Sequence, residues 1–158
     1  NTDGSNLNTY PAVYRGILNF FGDIWTFIRD VVIVNRNANY NSVYLLKKGV
    51  NHSDITIDNI QDKCYFIGDQ ANTNNFITEF DFRFGPYFVP NKVGTNKKAD
   101  YNWKRGNDGQ DTDKAVRVLL LGGIACNGSE AGSSYFTSDW VRSDSYAHVG
   151  FFTTVKLD

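Results

Sequence analysis

The stretch AVYRGILNFFGDIWTFIRDVVIVN, residues 12–35, is strongly apolar, and the prediction of the fold depends on how its apolar residues are spaced. In its first part they recur at intervals that suit one side of a helix, whereas the β-branched run VVIV at 31–34 is typical of a strand. The residues with helical spacing are Ile17, Phe20, Phe21, Ile24, Trp25 and Ile28. We therefore predict a short helix followed by a strand, with the helix packed beside a sheet and Trp25 in the core.

Outside this stretch, several apolar segments bounded by Gly, Asn or Asp predict further strands. They are SVYLLKKG at 42–49, KCYFIGDQ at 63–70, FITEFDFRF at 76–84 and KAVRVLLLGG at 114–123. The polar span 91–114, with Tyr101 and Trp103 embedded in it, predicts a long surface connection. Because Asn and Gly are spread through the chain and favour turns, we predict an α+β fold with long irregular loops.

Length and charge limit the classes of function. A chain of 158 residues is most simply one domain, spanning 1–158, that is large enough for a hydrophobic core. Its formal net charge of -1 gives no electrostatic reason to expect a nucleic-acid partner. No apolar run approaches the roughly 20 residues that cross a bilayer, so we expect no membrane insertion by this domain.

Residues with catalytic or metal-binding chemistry are few and form no motif. Cys64 and Cys126 could pair, but their spacing belongs to no disulfide framework and favours two free thiols. His52 and His148 have no Ser and Asp partners in a triad motif. The acidic segment 108–113 could bind calcium, yet it lacks the spacing and the terminal Glu of an EF-hand and is better read as a solvated loop. We expect no enzymatic activity, no cofactor and no metal.

The stretch VRSDSYAHVG, residues 141–150, alternates in a way that favours binding. Every second position holds a cation, an anion, a phenol or an imidazole, and the positions between are small or compact. In an extended chain successive side chains point to opposite faces, so the dissimilar groups would share one side. The dissimilar residues are Arg142, Asp144, Tyr146 and His148. One side would pack uniformly while the other presents an arbitrary mixture.

Two separated segments resemble known families. GILNFFGDIWTFI at 16–28 is similar to the Gly-rich, Trp-containing stretch of the formylglycine-generating-enzyme branch of the C-type lectin fold. The C-terminal part resembles the variable region of proteins that diversity-generating retroelements diversify. The shared pattern lies at 117–123, 127–132, Tyr135 with Phe136, and 149–151. The resemblance implies a C-type lectin fold with a variable region at about 117–158. The cysteine and metal site of the related enzymes has no copy around Cys64 or Cys126.

The resemblance also implies which positions vary. Such retroelements copy a template with errors at adenines, so an Asn codon can become Ile, Cys, Tyr, Thr, Asp, Arg or His, but not Trp or Glu. Glu130 is therefore left out and Trp140 is a weaker candidate. The candidate ligand-binding positions are Ile124, Cys126, Tyr135, Thr137, Asp139, Trp140, Arg142, Asp144, Tyr146 and His148. They should share one solvent-facing patch of roughly 800 Å², and aromatic and Arg side chains would supply its anchors.

The function that the resemblance implies is a non-enzymatic receptor-binding or ligand-binding module with a hypervariable surface. Its partner would be a protein or cell-surface ligand, and its location a virion surface or a cell surface. Gly122 and Gly123 would hold the framework in tight turns. The alternative is a fixed-specificity carbohydrate-binding C-type lectin domain, for which aromatic platforms and a calcium site are expected.

Overall fold

The computed structural model describes residues 13–14, 17–18, 25–35, 40–83, 88–95, 101–103, 116–124, 127, 132–140 and 149–150. Strands account for most of these residues. In chain order the strands are β1 Val13–Tyr14, β2 Ile17–Leu18, β3 Trp25–Asn35, β4 Tyr40–Leu46, β5 Cys64–Ala71, β6 Asn75–Asp81, β7 Val89–Gly94, β8 Tyr101–Trp103, β9 Val116–Gly122, β10 Gly132–Thr137 and β11 Val149–Gly150. A 3₁₀ turn, His52–Asp54, and one short helix, α1 Ile60–Lys63, lie between β4 and β5. No helix in the described part of the chain is long and apolar enough to span a membrane.

The large sheet has the strand order β5-β4-β3-β9-β10-β8-β6-β7, with β11 added beside β3. The pairs β8–β10 and β3–β11 are parallel, and the other pairs are antiparallel. The two end strands, β5 and β7, approach each other closely. A Cβ added at Gly68 of β5 would lie only 3.1 Å from Cγ2 of Val89 in β7. The sheet is therefore nearly closed and barrel-like.

The interior of the sheet is an apolar core to which six strands contribute. Along β3, Val31 and Ile33 point inward, whereas Val32 and Val34 point outward, and all four are buried. A strand that is covered on both faces carries apolar residues without interruption, which explains the run at 31–34. The buried interior residues are Val31, Ile33, Val43, Ile67, Val89, Leu119 and Phe136.

The outer side of β3, β4 and β5 is covered by the chain itself. Residues 47–63, called the covering segment below, place Ile55 and Ile60 on this side, and both are almost fully buried. The buried residues of the covering segment and of the outer side of these strands form what we call the covered face. Its buried residues are Val32, Val34, Tyr44, Leu46, Ile55, Ile60 and Cys64.

A chain of buried amides crosses the interior. The Asn41 Nδ2 group donates a hydrogen bond to Oε1 of Gln70 at 3.5 Å, and Gln70 Nε2 donates to Oδ1 of Asn102 at 2.8 Å. The Asn102 Nδ2 group in turn donates to the carbonyls of Ala71 and Thr73, each at 3.0 Å. Since β5 and β8 are not neighbours in the strand order, these amides tie together two distant parts of the sheet.

The predicted α+β class is wrong, because the described structure is mostly β-sheet, and the C-type lectin fold is not confirmed. The residues predicted to form the helix, 17–28, contain the strand β2 and the first residues of β3, whereas the strand predicted at 31–34 is confirmed by β3. Trp25 and Ile28 lie on opposite sides of β3, and because apolar residues cover both sides, their spacing of three also fits a helix. The positions of Phe20, Phe21 and Ile24 lie outside the described residues.

The other strand predictions are confirmed by β4, β5, β6 and β9. The predicted long connection at 91–114 is wrong in two places, since β7 extends to Gly94 and Tyr101–Trp103 forms β8. The prediction that Trp25 belongs to the core is confirmed, because it is buried.

Candidate functional site

The outer side of β3, β8, β9 and β10 carries a cluster that we call the aromatic face. Alternation along the strands builds it, since Trp25 and Phe27 point outward from β3 as Val118 and Leu120 do from β9. Its residues are Trp25, Phe27, Tyr101, Val118, Leu120, Ile124, Tyr135 and Trp140. Four of them are buried, and Phe27, Tyr101, Ile124 and Trp140 are only partly buried around these.

Tyr135 is the centre of the aromatic face. Its ring makes T-shaped contacts with the ring of Trp25 at a centroid distance of 4.6 Å and with that of Tyr101 at 5.9 Å. The ring of Tyr101 also lies 6.3 Å from that of Trp103, whose side chain is 38% exposed. Aromatic pairs of this geometry contribute about 0.5–1.5 kcal/mol beyond the area they bury. The face therefore has a rigid base and an edge that reaches solvent.

The segment 141–148 lies outside the described residues, but the residue before it and the residue after it both contact this face. At its start, the backbone N–H of Val118 donates a hydrogen bond to the carbonyl of Trp140 at 3.0 Å. After its end, Val149 pairs with Trp25 in the parallel ladder between β11 and β3. Both anchoring partners, Val118 and Trp25, are buried residues of the aromatic face. The sheet thus holds the residue before and the residue after the stretch whose alternate side chains are so dissimilar.

Hydrogen bonds set the path of the chain as it leaves β10. The Asp139 N–H donates to Oγ1 of Thr137 at 3.3 Å, and Arg117 Nη1 donates to the Asp139 carbonyl at 3.1 Å. The N–H of Ser138 donates to the carbonyl of Trp103 at 3.1 Å. Arg117 is 3% exposed, so a buried cation holds the backbone directly before Trp140.

A tight turn after β9 places Ile124 beside the aromatic face. Gly122 and Gly123 have φ angles of 99° and 77°, which residues with a Cβ rarely adopt, and this agrees with the predicted framework role. The Asn127 side chain then closes the turn, because the Ile124 N–H donates to its Oδ1 at 2.7 Å and the Asn127 N–H donates to the Ile124 carbonyl at 2.9 Å.

The structure brings three of the predicted ligand-binding residues together, since Ile124, Tyr135 and Trp140 all belong to the aromatic face. Asp139 is half-buried next to Trp140. The expectation of a solvent-facing position is wrong for Tyr135 and Thr137, which are each 1% exposed because the strand β10 is covered on both sides. The remaining candidates lie outside the described residues: Cys126, Arg142, Asp144, Tyr146 and His148.

Sequence reasoning missed Phe27, Tyr101 and Trp103 as parts of this region. A usable signal was present, because Trp25 with Phe27 and Tyr101 with Trp103 are spaced by two, as outward-pointing residues of a strand are. Reading residues 16–28 as a helix hid the first pair, and reading 91–114 as a connection hid the second.

The described residues include Cys64 but not Cys126 or the acidic segment that could bind calcium. Cys64 is a buried free thiol, and burial raises its pKa although the nearby Lys47 and Lys63 act in the opposite direction. Cys126 and the acidic segment 108–113 lie outside the described residues. Within the described ranges, no group of three or more His, Cys, Asp or Glu side chains could hold a metal ion.

Comparison of the chain with protein-family models, with curated proteins and with solved structures gives no match.

Proposed function

We propose that this domain is a non-enzymatic ligand-binding module, whose binding surface consists of the exposed edge of the aromatic face and the segment 141–148. The observation that carries the proposal is that the sheet holds both residues that flank this segment, Trp140 through Val118 and Val149 through Trp25. Binding residues commonly lie between chain positions that a rigid scaffold holds in place.

The physical advantage is a low entropic penalty on binding. Ordering a free loop costs free energy, whereas a segment with fixed ends has fewer conformations to lose. The partly exposed rings of Trp103 and Trp140 add large, stiff contact area next to the segment. Arg142 and Tyr146 within it belong to the residue types that most often dominate binding energy.

The ligand of this surface would be a protein or another cell-surface molecule, with the domain itself on a virion surface or a cell surface. The proposal includes diversification of the surface by a retroelement, for which the compatible codons of 142, 144, 146 and 148 are the motivation. Buried positions tolerate few side chains, so variation should avoid Tyr135 and Thr137 and concentrate on the segment 141–148.

Sequencing of the genomic locus tests the diversification. We expect a near-copy of the codons for 117–158 close to a reverse-transcriptase gene, with differences confined to template adenines and most frequent at 142, 144, 146 and 148. A locus without such a repeat, or with differences spread equally over all four bases, would contradict diversification by a retroelement.

Surface display tests the binding role separately. One library randomises Arg142, Asp144, Tyr146 and His148; a matched library randomises four exposed residues of the covering segment, namely Lys48, Thr56, Asp58 and Asp62. Both libraries are sorted for folded clones and then selected against the same panel of unrelated proteins. We expect binders at least tenfold more often from the first library. Equal frequencies from the two libraries would contradict the proposed surface.

A further inference from the structure

A cleft of about 470 Å³ lies on the outer side of β4 and β5 next to α1, away from the strands that form the aromatic face. Its size falls within the roughly 300–1,000 Å³ that is typical of small-molecule sites. The cleft is lined by Ser42, Tyr44, Gln61, Cys64, Phe66 and Asp69. All but Gln61 lie on β4 and β5, where Tyr44 pairs with Phe66 and, beyond a register shift, Ser42 pairs with Asp69, so a two-strand ladder holds most of the lining in place.

The middle of the cleft is aromatic. The rings of Tyr44 and Phe66 pack in a T-shape, with centroids 5.6 Å apart and an interplanar angle of 69°. Tyr44 is 3% exposed and therefore fixed, while Phe66 is half-buried at the cleft wall. Beyond them lies the buried Cys64 thiol, whose pKa is raised by burial. This part of the cleft suits an uncharged, flat or apolar group.

One end of the cleft is anionic. The half-buried carboxylate of Asp69 is held by Ser42, whose Oγ donates a hydrogen bond to Oδ1 at 3.0 Å. A carboxylate has about four acceptor positions, so this bond leaves capacity for a donor from a ligand. Asp69 is also within electrostatic reach of the Arg83 guanidinium, which forms its ion pair with Asp81.

The lysines near the cleft are held by other groups. The Lys47 ammonium donates to the carbonyl of Asp62 and lies 5.3 Å from the centroid of the Tyr65 ring. The Lys63 ammonium donates to the carbonyl of Asp54 at 3.1 Å. Their positive charge acts at the Cys64 end, and the negative charge of Asp69 acts at the other, so the field along the cleft has a direction.

We propose that this cleft binds a small organic cation that joins an aromatic or apolar body to a primary ammonium group. The ammonium pairs with the Asp69 carboxylate, and the body lies against Tyr44 and Phe66 with its uncharged end toward Cys64. The aromatic rings also favour a nearby cation through their negative faces. This inference concerns strands and side chains different from those of the proposed binding surface.

Titration with two matched probes tests the ligand class. Phenethylamine carries the ammonium, and 2-phenylethanol has the same body with an uncharged hydroxyl. We expect the cation to shift the backbone amide signals of Ser42, Gln61 and Asp69 in ¹H–¹⁵N spectra, and to bind at least tenfold more tightly than the alcohol. Equal binding of the two probes, or no shift in the cleft, would overturn the proposal.

Substitutions identify the group that recognises the cation. Asp69→Asn should weaken phenethylamine binding at least tenfold and leave that of 2-phenylethanol unchanged, whereas Asp58→Asn, at an exposed carboxylate of the covering segment, should change neither. Unchanged affinity for the cation in Asp69→Asn would refute the assignment.

If Asp69→Asn does not fold, a second pair of variants tests whether charge at the cleft controls binding of the cation. Gln61 is exposed at the rim of the cleft, so its replacement should leave folding intact. Gln61→Lys should weaken and Gln61→Glu should strengthen phenethylamine binding, each by about threefold, with the alcohol unaffected. The same affinity in both variants would overturn the proposal.

Discussion

The covered face and the aromatic face lie on the outer side of one sheet, and they differ in what closes them. The covered face is closed by the chain, because Ile55 and Ile60 of the covering segment are 1% and 5% exposed. The aromatic face has a buried base at Trp25 and Tyr135, but Trp103 at its edge is 38% exposed. The same alternation of strand residues thus produces one completed layer and one layer with rings left at the surface.

The side chains at the two faces differ in a corresponding way. The covered face consists largely of Val, Leu and Ile, which fill space between the sheet and the covering segment. The aromatic face consists largely of Trp, Tyr and Phe, whose rings offer area, and the Trp N–H and Tyr O–H groups can also hydrogen-bond at a wet surface. The difference indicates that the covered face mainly stabilises the fold and is open only at the cleft beside α1, whereas the aromatic face presents rings to a partner.

The largest expected effect distinguishes the base of the aromatic face from its edge. Trp25→Ala should lower the free energy of unfolding by about 3–5 kcal/mol, because it empties a buried ring position against Tyr135. Trp103→Ala, on the same face but partly exposed, should lower it by about 1 kcal/mol or less. Urea denaturation measures both. Equal losses in the two variants would remove the distinction between base and edge.

The second prediction tests whether the buried amides stabilise the sheet that carries both faces. Asn102→Ala should lower the free energy of unfolding by about 1–3 kcal/mol, because it leaves the buried Nε2 of Gln70 without its acceptor. Asn51→Ala, at an exposed position whose side chain caps nothing, is the control and should stay within about 0.5 kcal/mol. A loss no greater for Asn102→Ala than for Asn51→Ala would mean that the amides do not support the sheet.

Much of the sheet could be predicted from the sequence, since β4, β5, β6 and β9 follow from short apolar runs between turn residues. The class failed at the predicted helix over 17–28, where Trp25 and Ile28 on opposite sides of β3 have a spacing that also fits a helix, while the strand predicted at 31–34 is confirmed. Near-closure of the sheet could not be predicted, because the approach of Gly68 to Val89 joins strands that do not pair.

Residues of the candidate site could be predicted where the local sequence decides their position, but not where strands distant in the chain decide their burial. The codon argument selects Tyr135 and Thr137 as readily as Asp139, because it contains no information about burial. Burial of the first two arises from the strands on either side of β10, which are distant in the chain. The cleft was missed for a similar reason, since its lining comes from β4, α1 and β5.

The third effect compares a glycine at each face. Gly123 beside the aromatic face has φ 77°, and Gly49 in the covering segment has φ 82° with no atom within 4 Å of an added Cβ. Alanine at either position should cost about 1–2 kcal/mol, because the left-handed conformation crowds a Cβ against the following carbonyl. Asparagine, which tolerates this conformation better, should cost less at both. Thermal melts check this, and a Gly123 loss far above that of Gly49 would point to packing instead of conformation.

The fourth expected effect is a loss of stability at alkaline pH, and it arises from Cys64 in the covered face. Burial raises the pKa of the Cys64 thiol, so the folded state prefers the neutral form more strongly than the unfolded state does. The resulting stabilisation is fully present below the ordinary thiol pKa of about 8.5 and is lost as pH rises through the higher folded value. Titration of the ¹³Cβ signal in a Cys126→Ser variant, folded and in urea, measures both values. A folded midpoint at or below the one in urea would contradict this expectation.

The smallest effect is expected where binding is proposed. Replacing Arg142, Asp144, Tyr146 or His148 with Ala should change the free energy of unfolding by no more than about 0.5 kcal/mol each, as at ordinary surface sites. The reason is that a surface which accepts different side chains cannot depend on any of them for folding, while Trp140 and Val149 hold the segment through backbone contacts that alanine leaves intact. Thermal melts of the four variants beside Trp25→Ala give the comparison directly. If any of the four lowers the melting temperature as much as Trp25→Ala does, that residue supports the fold, and the segment between Trp140 and Val149 belongs to the framework instead of the binding surface.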